Sequence, residues 1–113
     1  MNRAGARAED LCAEHLRRAG LRIVARNWRC RLGEIDLVAE EGATLVFAEV
    51  RLRRARAWGG AAESVHAGKR ARIVAAARLY LAGRAPRDCR FDVLLLDALE
   101  ASRIRWIRGA FGE

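Results

Sequence analysis

Gly33-Glu34-Ile35-Asp36-Leu37-Val38-Ala39-Glu40, then Glu41-Gly42-Ala43, then Thr44-Leu45-Val46-Phe47-Ala48-Glu49-Val50-Arg51 is the segment on which the reading of this chain turns. Two alternating runs rich in branched residues flank a glycine turn, which predicts an antiparallel hairpin of strands 33–40 and 44–51. Side chains alternate across a strand, so Glu34 and Asp36 share one face while Ile35, Leu37 and Ala39 take the other. In the second run Leu45, Phe47, Glu49 and Arg51 share a face, opposite Val46, Ala48 and Val50. With residues 41–44 as the turn, Glu40 faces Leu45, Asp36 faces Glu49, and Glu34 faces Arg51. Directly opposed β-carbons lie about 5 Å apart.

Two carboxylates that close in an otherwise apolar hairpin repel each other and resist desolvation. A divalent cation offsets both effects. Hard oxygen ligands at this separation suit Mg²⁺ or Mn²⁺, with water completing the shell. A salt-bridged cluster of Glu34, Asp36, Glu49 and Arg51 on an exposed sheet face would satisfy the same spacing. The order acid-x-acid, then acid-x-cation, favours the metal site.

Upstream, Ala8, Leu11, Cys12, His15, Leu16 and Ala19 mark one face of a helix over 6–19, ended by Gly20. Glu9, Asp10 and Glu14 lie off the centre of that stripe, and the two nearest the helix start complement its dipole. Residues 21–29 alternate loosely and predict a strand. Downstream, residues 53–60 form an Arg-rich loop ending in Trp58-Gly59-Gly60. A helix follows over 67–82, with Ile73, Ala76, Ala77, Tyr80 and Leu81 inward and Gly83 and Pro86 closing it. Residues 91–96 are apolar on both faces, which predicts a strand in the middle of the sheet. A short last strand covers 103–107. The order α-β-β-β-α-β-β predicts one α/β domain over 1–113, a mixed central sheet flanked by helices.

A chain of 113 residues can bury one modest core. Its 52% hydrophobic and 32% charged residues exclude a disordered or membrane-embedded class. No apolar run approaches the ~20 residues of a membrane helix, and the first residues lack a secretory signal's apolar stretch. A cytoplasmic location and no membrane partner are therefore expected. Cys12, Cys30 and Cys89 make no pair-of-pairs zinc spacing and fit a reducing compartment. The 22 Lys and Arg against 14 Asp and Glu give a net charge of +8, which favours a polyanionic partner. All of these cations but Lys69 are arginines, which codon bias explains as readily as binding does.

The hairpin, with Arg26-Asn27-Trp28-Arg29, Trp58-Gly59-Gly60 followed by Glu63 and Val65, Lys69, Tyr80-Leu81, Arg90-Phe91-Asp92-Val93 and Ile107-Arg108-Gly109-Ala110-Phe111, resembles the PD-(D/E)XK nuclease superfamily. More narrowly, the series is similar to the small bacterial YraN family, related in fold to archaeal Holliday junction resolvases. The resemblance implies a three-layer restriction-endonuclease-like fold. It implies that Asp36 and Glu49 hold the metal, that Glu9 approaches it from the first helix, and that the cation after Glu49 stabilises charge on the attacked phosphate. Members of the family usually carry lysine there, and this chain has Arg51. Arginine cannot give up its proton to act as a base, although it can still supply positive charge.

Lys69, near the start of the second long helix, is the alternative cation. It sits against the helix dipole, so pairing with the acidic cluster would explain its place as well as exposure would. Neither His15 nor His66 has partners for a site. Arg26, Arg29 and Arg31 precede the site, and Arg51, Arg53, Arg54 and Arg56 follow it. With Trp28 and Trp58 interleaved, they suit phosphate contacts and base stacking. Trp28 would equally serve as core. The leading expectation is a metal-dependent endonuclease on DNA, branched DNA included. The alternatives are a nucleic-acid-binding module of the same fold without turnover and an interaction protein with a structural acidic cluster. A homodimer is expected by analogy only.

Overall fold

In the computed structural model, which describes residues 3–53 and 67–112, the hairpin forms in the expected register, with Glu40 beside Leu45 and Leu37 beside Ala48. The turn is tighter than expected. Glu41 pairs with Thr44, so Gly42 and Ala43 alone make the connection, as two-residue hairpins favour.

The elements are α1 (Arg3–Arg18), β1 (Arg22–Cys30), β2 (Gly33–Glu41), β3 (Thr44–Leu52), α2 (Ala67–Leu81), β4 (Cys89–Leu96), a short 3-10 turn (Ala101–Arg103) and β5 (Ile104–Phe111). The strands lie in the order β1-β2-β3-β4-β5. All neighbours are antiparallel except β3 and β4, which are parallel and have α2 in the connection between them, as a parallel pair requires. This is the predicted mixed α/β arrangement, and it is compatible with the three-layer restriction-endonuclease-like fold.

Each sheet face is covered by one helix. Ala8, Cys12, Ala13 and Leu16 of α1 pack on Leu37, Ala39, Val46, Ala48, Leu94 and Leu96. Ile73, Val74, Ala76, Ala77 and Tyr80 of α2 pack on Ile35, Val38, Leu45, Phe47, Phe91, Val93 and Leu95. A capped end stops α1: Leu21 N–H bonds the Leu16 carbonyl at 3.0 Å and Gly20 N–H that of Arg17 at 2.9 Å. Gly20 adopts φ +95°, a conformation open to a residue without a β-carbon.

β4 is buried on both faces, as its composition predicts, but β3 occupies the centre of the sheet. A strand with two neighbours and two covered faces reads the same whether or not it is central. β5 extends to Phe111, beyond the expected 103–107, because it is anchored by a group that hydropathy does not reveal. Asp92 of β4 is fully buried and accepts hydrogen bonds from Trp106 Nε1 at 2.8 Å, Gly109 N at 2.9 Å and Arg90 Nε at 3.0 Å. No helix among the described residues is long and apolar enough to cross a membrane.

Candidate metal centre

Strict alternation fails at Asp36. Ile35 packs under α2, while Leu37 packs under α1, so the strand reverses its faces at the acid between them. The neighbouring strand distorts at the same level. Arg26 pairs with Leu37 and Trp28 with Ile35, and Asn27 between them adopts φ +51°. Beyond Leu37–Ala48, β2 and β3 no longer pair residue for residue, and the Asp36 carboxylate takes over by accepting the Val50 N–H at 2.9 Å.

Glu49 follows Ala48 on β3 and is only 3% exposed. Lys69, in the first turn of α2, places Nζ 2.5 Å from Glu49 Oε2. Arg51 is farther, with Nη1 at 3.9 Å from the same oxygen, and its buried Nε has no hydrogen-bond partner. Glu49 and Lys69, but not Arg51, line a pocket of about 250 Å³ with Gly33, Glu34, Asp36, Arg72 and Ile73.

Burial, and then the neighbouring Glu49, push the Asp36 carboxyl up to about 8. Two carboxylates that share a desolvated site cannot both ionise easily without more positive charge than Lys69 alone supplies. Buried Glu49 Oε2 already meets the Lys69 ammonium at 2.5 Å, so a cation would share that oxygen with it. The pair therefore fits a hard divalent cation. No three Asp, Glu, His or Cys side chains among the described residues converge as a metal cage. Two carboxylates with water and a substrate oxygen are nonetheless a ligand set that Mg²⁺ commonly takes.

Glu9 on α1 is 1% exposed, and burial raises its pKa, with the nearby Asp36 adding to the rise. Its carboxylate is engaged by Asn27 Nδ2 at 2.8 Å and Arg26 Nε at 3.1 Å. Cys12 lies on the same side, and burial followed by the charges of Asp36 and Glu9 pushes its thiol up to about 12. It is a core residue.

The remaining sequence candidates separate. Arg26 also donates to Asp10 at 2.6 Å, so its guanidinium is committed to the acids of α1. Arg29 is exposed and pairs at 3.0 Å with Glu34, its partner across β1 and β2, so Glu34 is paired there instead of with Arg51. Arg31 and Arg53 are exposed. Arg54, Arg56, Trp58, Glu63, Val65 and His66 lie outside the described residues. Trp28 packs edge-on against Tyr80, ring centres 5.3 Å apart, and His15 packs edge-on against Trp106. Sequence reasoning overlooked Asn27 and Arg72. The first carried a signal, since asparagine tolerates the left-handed region better than most residues; the second carried none.

The sequence model of the uncharacterised protein family UPF0102 matches residues 8–96. The chain belongs to this family. The matched span takes in Glu9, Asp36, Glu49, Arg51 and Lys69. Similar chains include a UPF0102 protein of Pseudomonas aeruginosa strain LESB58, 50% identical over 113 residues and covering 95% of this chain and 90% of its own length. A UPF0102 protein of Methylobacillus flagellatus is 47% identical over 111 residues, with 98% of both chains covered. One of Dechloromonas aromatica is 52% identical over 107 residues, covering 95% of this chain and 87% of its own.

Proposed function

We propose that this UPF0102 chain is a metal-dependent endonuclease-like protein acting on DNA phosphodiester bonds, branched DNA among its candidate substrates. The observation that carries this reading is the convergence of half-buried Asp36 and buried Glu49 with Lys69 in one open pocket. Asp36 and Glu49 would hold Mg²⁺ or Mn²⁺. When bound, the cation supplies Lewis-acid polarisation of the phosphate and eases deprotonation of an attacking water. Lys69, 2.5 Å from Glu49 Oε2, would offset negative charge gathering on the phosphate, and Arg51, 3.9 Å from the same oxygen, would add a second positive charge. The Val50 N–H fixes one Asp36 oxygen, which leaves the other directed by the fold instead of by rotamer freedom. Exposed Arg31 and Arg53 are available to backbone phosphates, and Arg29 would reach them by exchanging its partner Glu34.

The experiment is cleavage of end-labelled linear, nicked and four-way DNA with Mg²⁺ or Mn²⁺, beside Asp36→Ala. The expected result is metal-dependent cutting that falls by about 10²-fold or more in the variant. Equal cutting by both proteins would assign the activity to a contaminant and sink the site. One observation favours a second reading, nucleic-acid binding without turnover. Arg51 stands at the lysine position, and Lys69 is already held by Glu49. Salt-sensitive DNA binding with no cutting under either metal would select that reading.

A further inference from the structure

Asn27 is the only non-glycine among the described residues with positive φ, and it lies level with Asp36 across β1 and β2. Its side chain has a definite sense. Nδ2 donates to Glu9 Oε1 at 2.8 Å, and a carboxylate can only accept, so Oδ1 is the other atom of the amide. That Oδ1 is buried and has no hydrogen-bond partner. A buried amide oxygen left unsatisfied is costly and calls for an explanation. The backbone strain points the same way, because a left-handed asparagine in the interior of a strand is held only where the surroundings over-determine it. The surroundings here are Glu9 and Arg26 on the α1 side of the Asp36 carboxylate.

We propose that Asn27 is a positioning residue of the metal centre: Nδ2 holds Glu9, and Oδ1 accepts a hydrogen bond from the hydration shell of the cation bound by Asp36 and Glu49. The inference rests on the metal-centre reading above and adds a residue to it. Asp36 and Glu49 would spend oxygens as direct ligands, and the Asn27 amide oxygen gives metal-bound water a further acceptor. Outer hydrogen-bond partners of metal sites commonly carry a tenfold or greater share of the affinity.

The test uses the full chain, stripped with EDTA, and measures Mn²⁺ affinity by calorimetry together with thermal unfolding. Asn27→Gly keeps the left-handed backbone and deletes both amide atoms. Asn27→Asp keeps an acceptor and deletes the donor. Mn²⁺ dissociation is expected to weaken roughly tenfold in Asn27→Gly. Asn27→Asp should bind at least as tightly as the wild type. Wild-type affinity in Asn27→Gly would overturn the proposal. Equal weakening in both variants would also overturn it, since the amide would then serve only as Glu9's donor. A wild type with no Mn²⁺ binding that Asp36→Ala abolishes would instead overturn the metal centre itself, a result distinct from the other two. Asn27→Gly should unfold as cooperatively as the wild type, which separates loss of affinity from loss of fold.

Discussion

Asp36 holds its proton far more tightly in the folded chain than in the unfolded one, because burial and Glu49 both oppose its charge. The folded state therefore binds the extra proton, and the stability this confers is complete below the unfolded value of 3.8 and lost as pH rises towards about 8. Metal-free protein should lose a few kcal/mol of stability across that window. Asp36→Asn should flatten the profile and raise the apo Tm at pH 8 while removing stabilisation by Mn²⁺. Chemical unfolding at stepped pH in EDTA measures this, and a variant with the wild-type slope would show that Asp36 is not the titrating group. Lys69 and Arg51 differ in reach, 2.5 Å against 3.9 Å from the same Glu49 oxygen. Single-turnover cleavage should accordingly fall about 10²-fold in Lys69→Ala and stay within a few-fold in Arg51→Lys. A large gain in Arg51→Lys would return the charge-stabilising role to that position.

The site is held by where β2 and α2 touch. Gly33 opens β2 directly beneath α2, and a β-carbon there would lie 3.1 Å from the Arg72 carbonyl oxygen. Gly33→Ala should push out the first turns of α2, which carry Lys69 and Arg72. The expected cost is about 1–3 kcal/mol, with weaker Mn²⁺ binding beyond it. Unchanged affinity would mean that the pocket tolerates movement of α2. At the other side of the sheet, Asp92 ties β4 to β5 through three donors and sits fully buried. Asp92→Ala strands the Trp106 and Gly109 N–H groups and a partly buried Arg90, which should cost about 3–5 kcal/mol in denaturant unfolding. A loss under 1 kcal/mol would show that β5 is held by its apolar contacts alone.

Across the molecule, a net charge of +8 predicts DNA affinity that falls steeply with salt, the logarithmic slope counting the phosphates neutralised. A flat salt response in fluorescence anisotropy would argue against a backbone-binding surface. The β2–β3 hairpin, its register from the turn as far as Leu37–Ala48 and the nearness of Asp36 to Glu49 were legible in the sequence, because a two-residue period and a glycine turn are local properties; the expected pairings of Asp36 with Glu49 and Glu34 with Arg51 do not form. The face of α2 was legible for the same reason, as was the order of elements; that of α1 was legible in part, since Ala8, Cys12 and Leu16 are buried as expected but so are Glu9 and Ala13, while Ala19 is exposed. Three features were decided only by the tertiary structure. Ile35 and Leu37 diverge because each helix claims one of them, a choice that alternation along one strand does not contain. Lys69 meets Glu49 because α2 crosses back over the sheet between β3 and β4, which turns a lone helical lysine into part of the pocket. Glu9, Asn27 and Asp92 acquire their partners from strands and helices distant in the chain. Local patterns record which residues prefer the interior; which buried polar groups face one another depends on contacts made only when the layers pack.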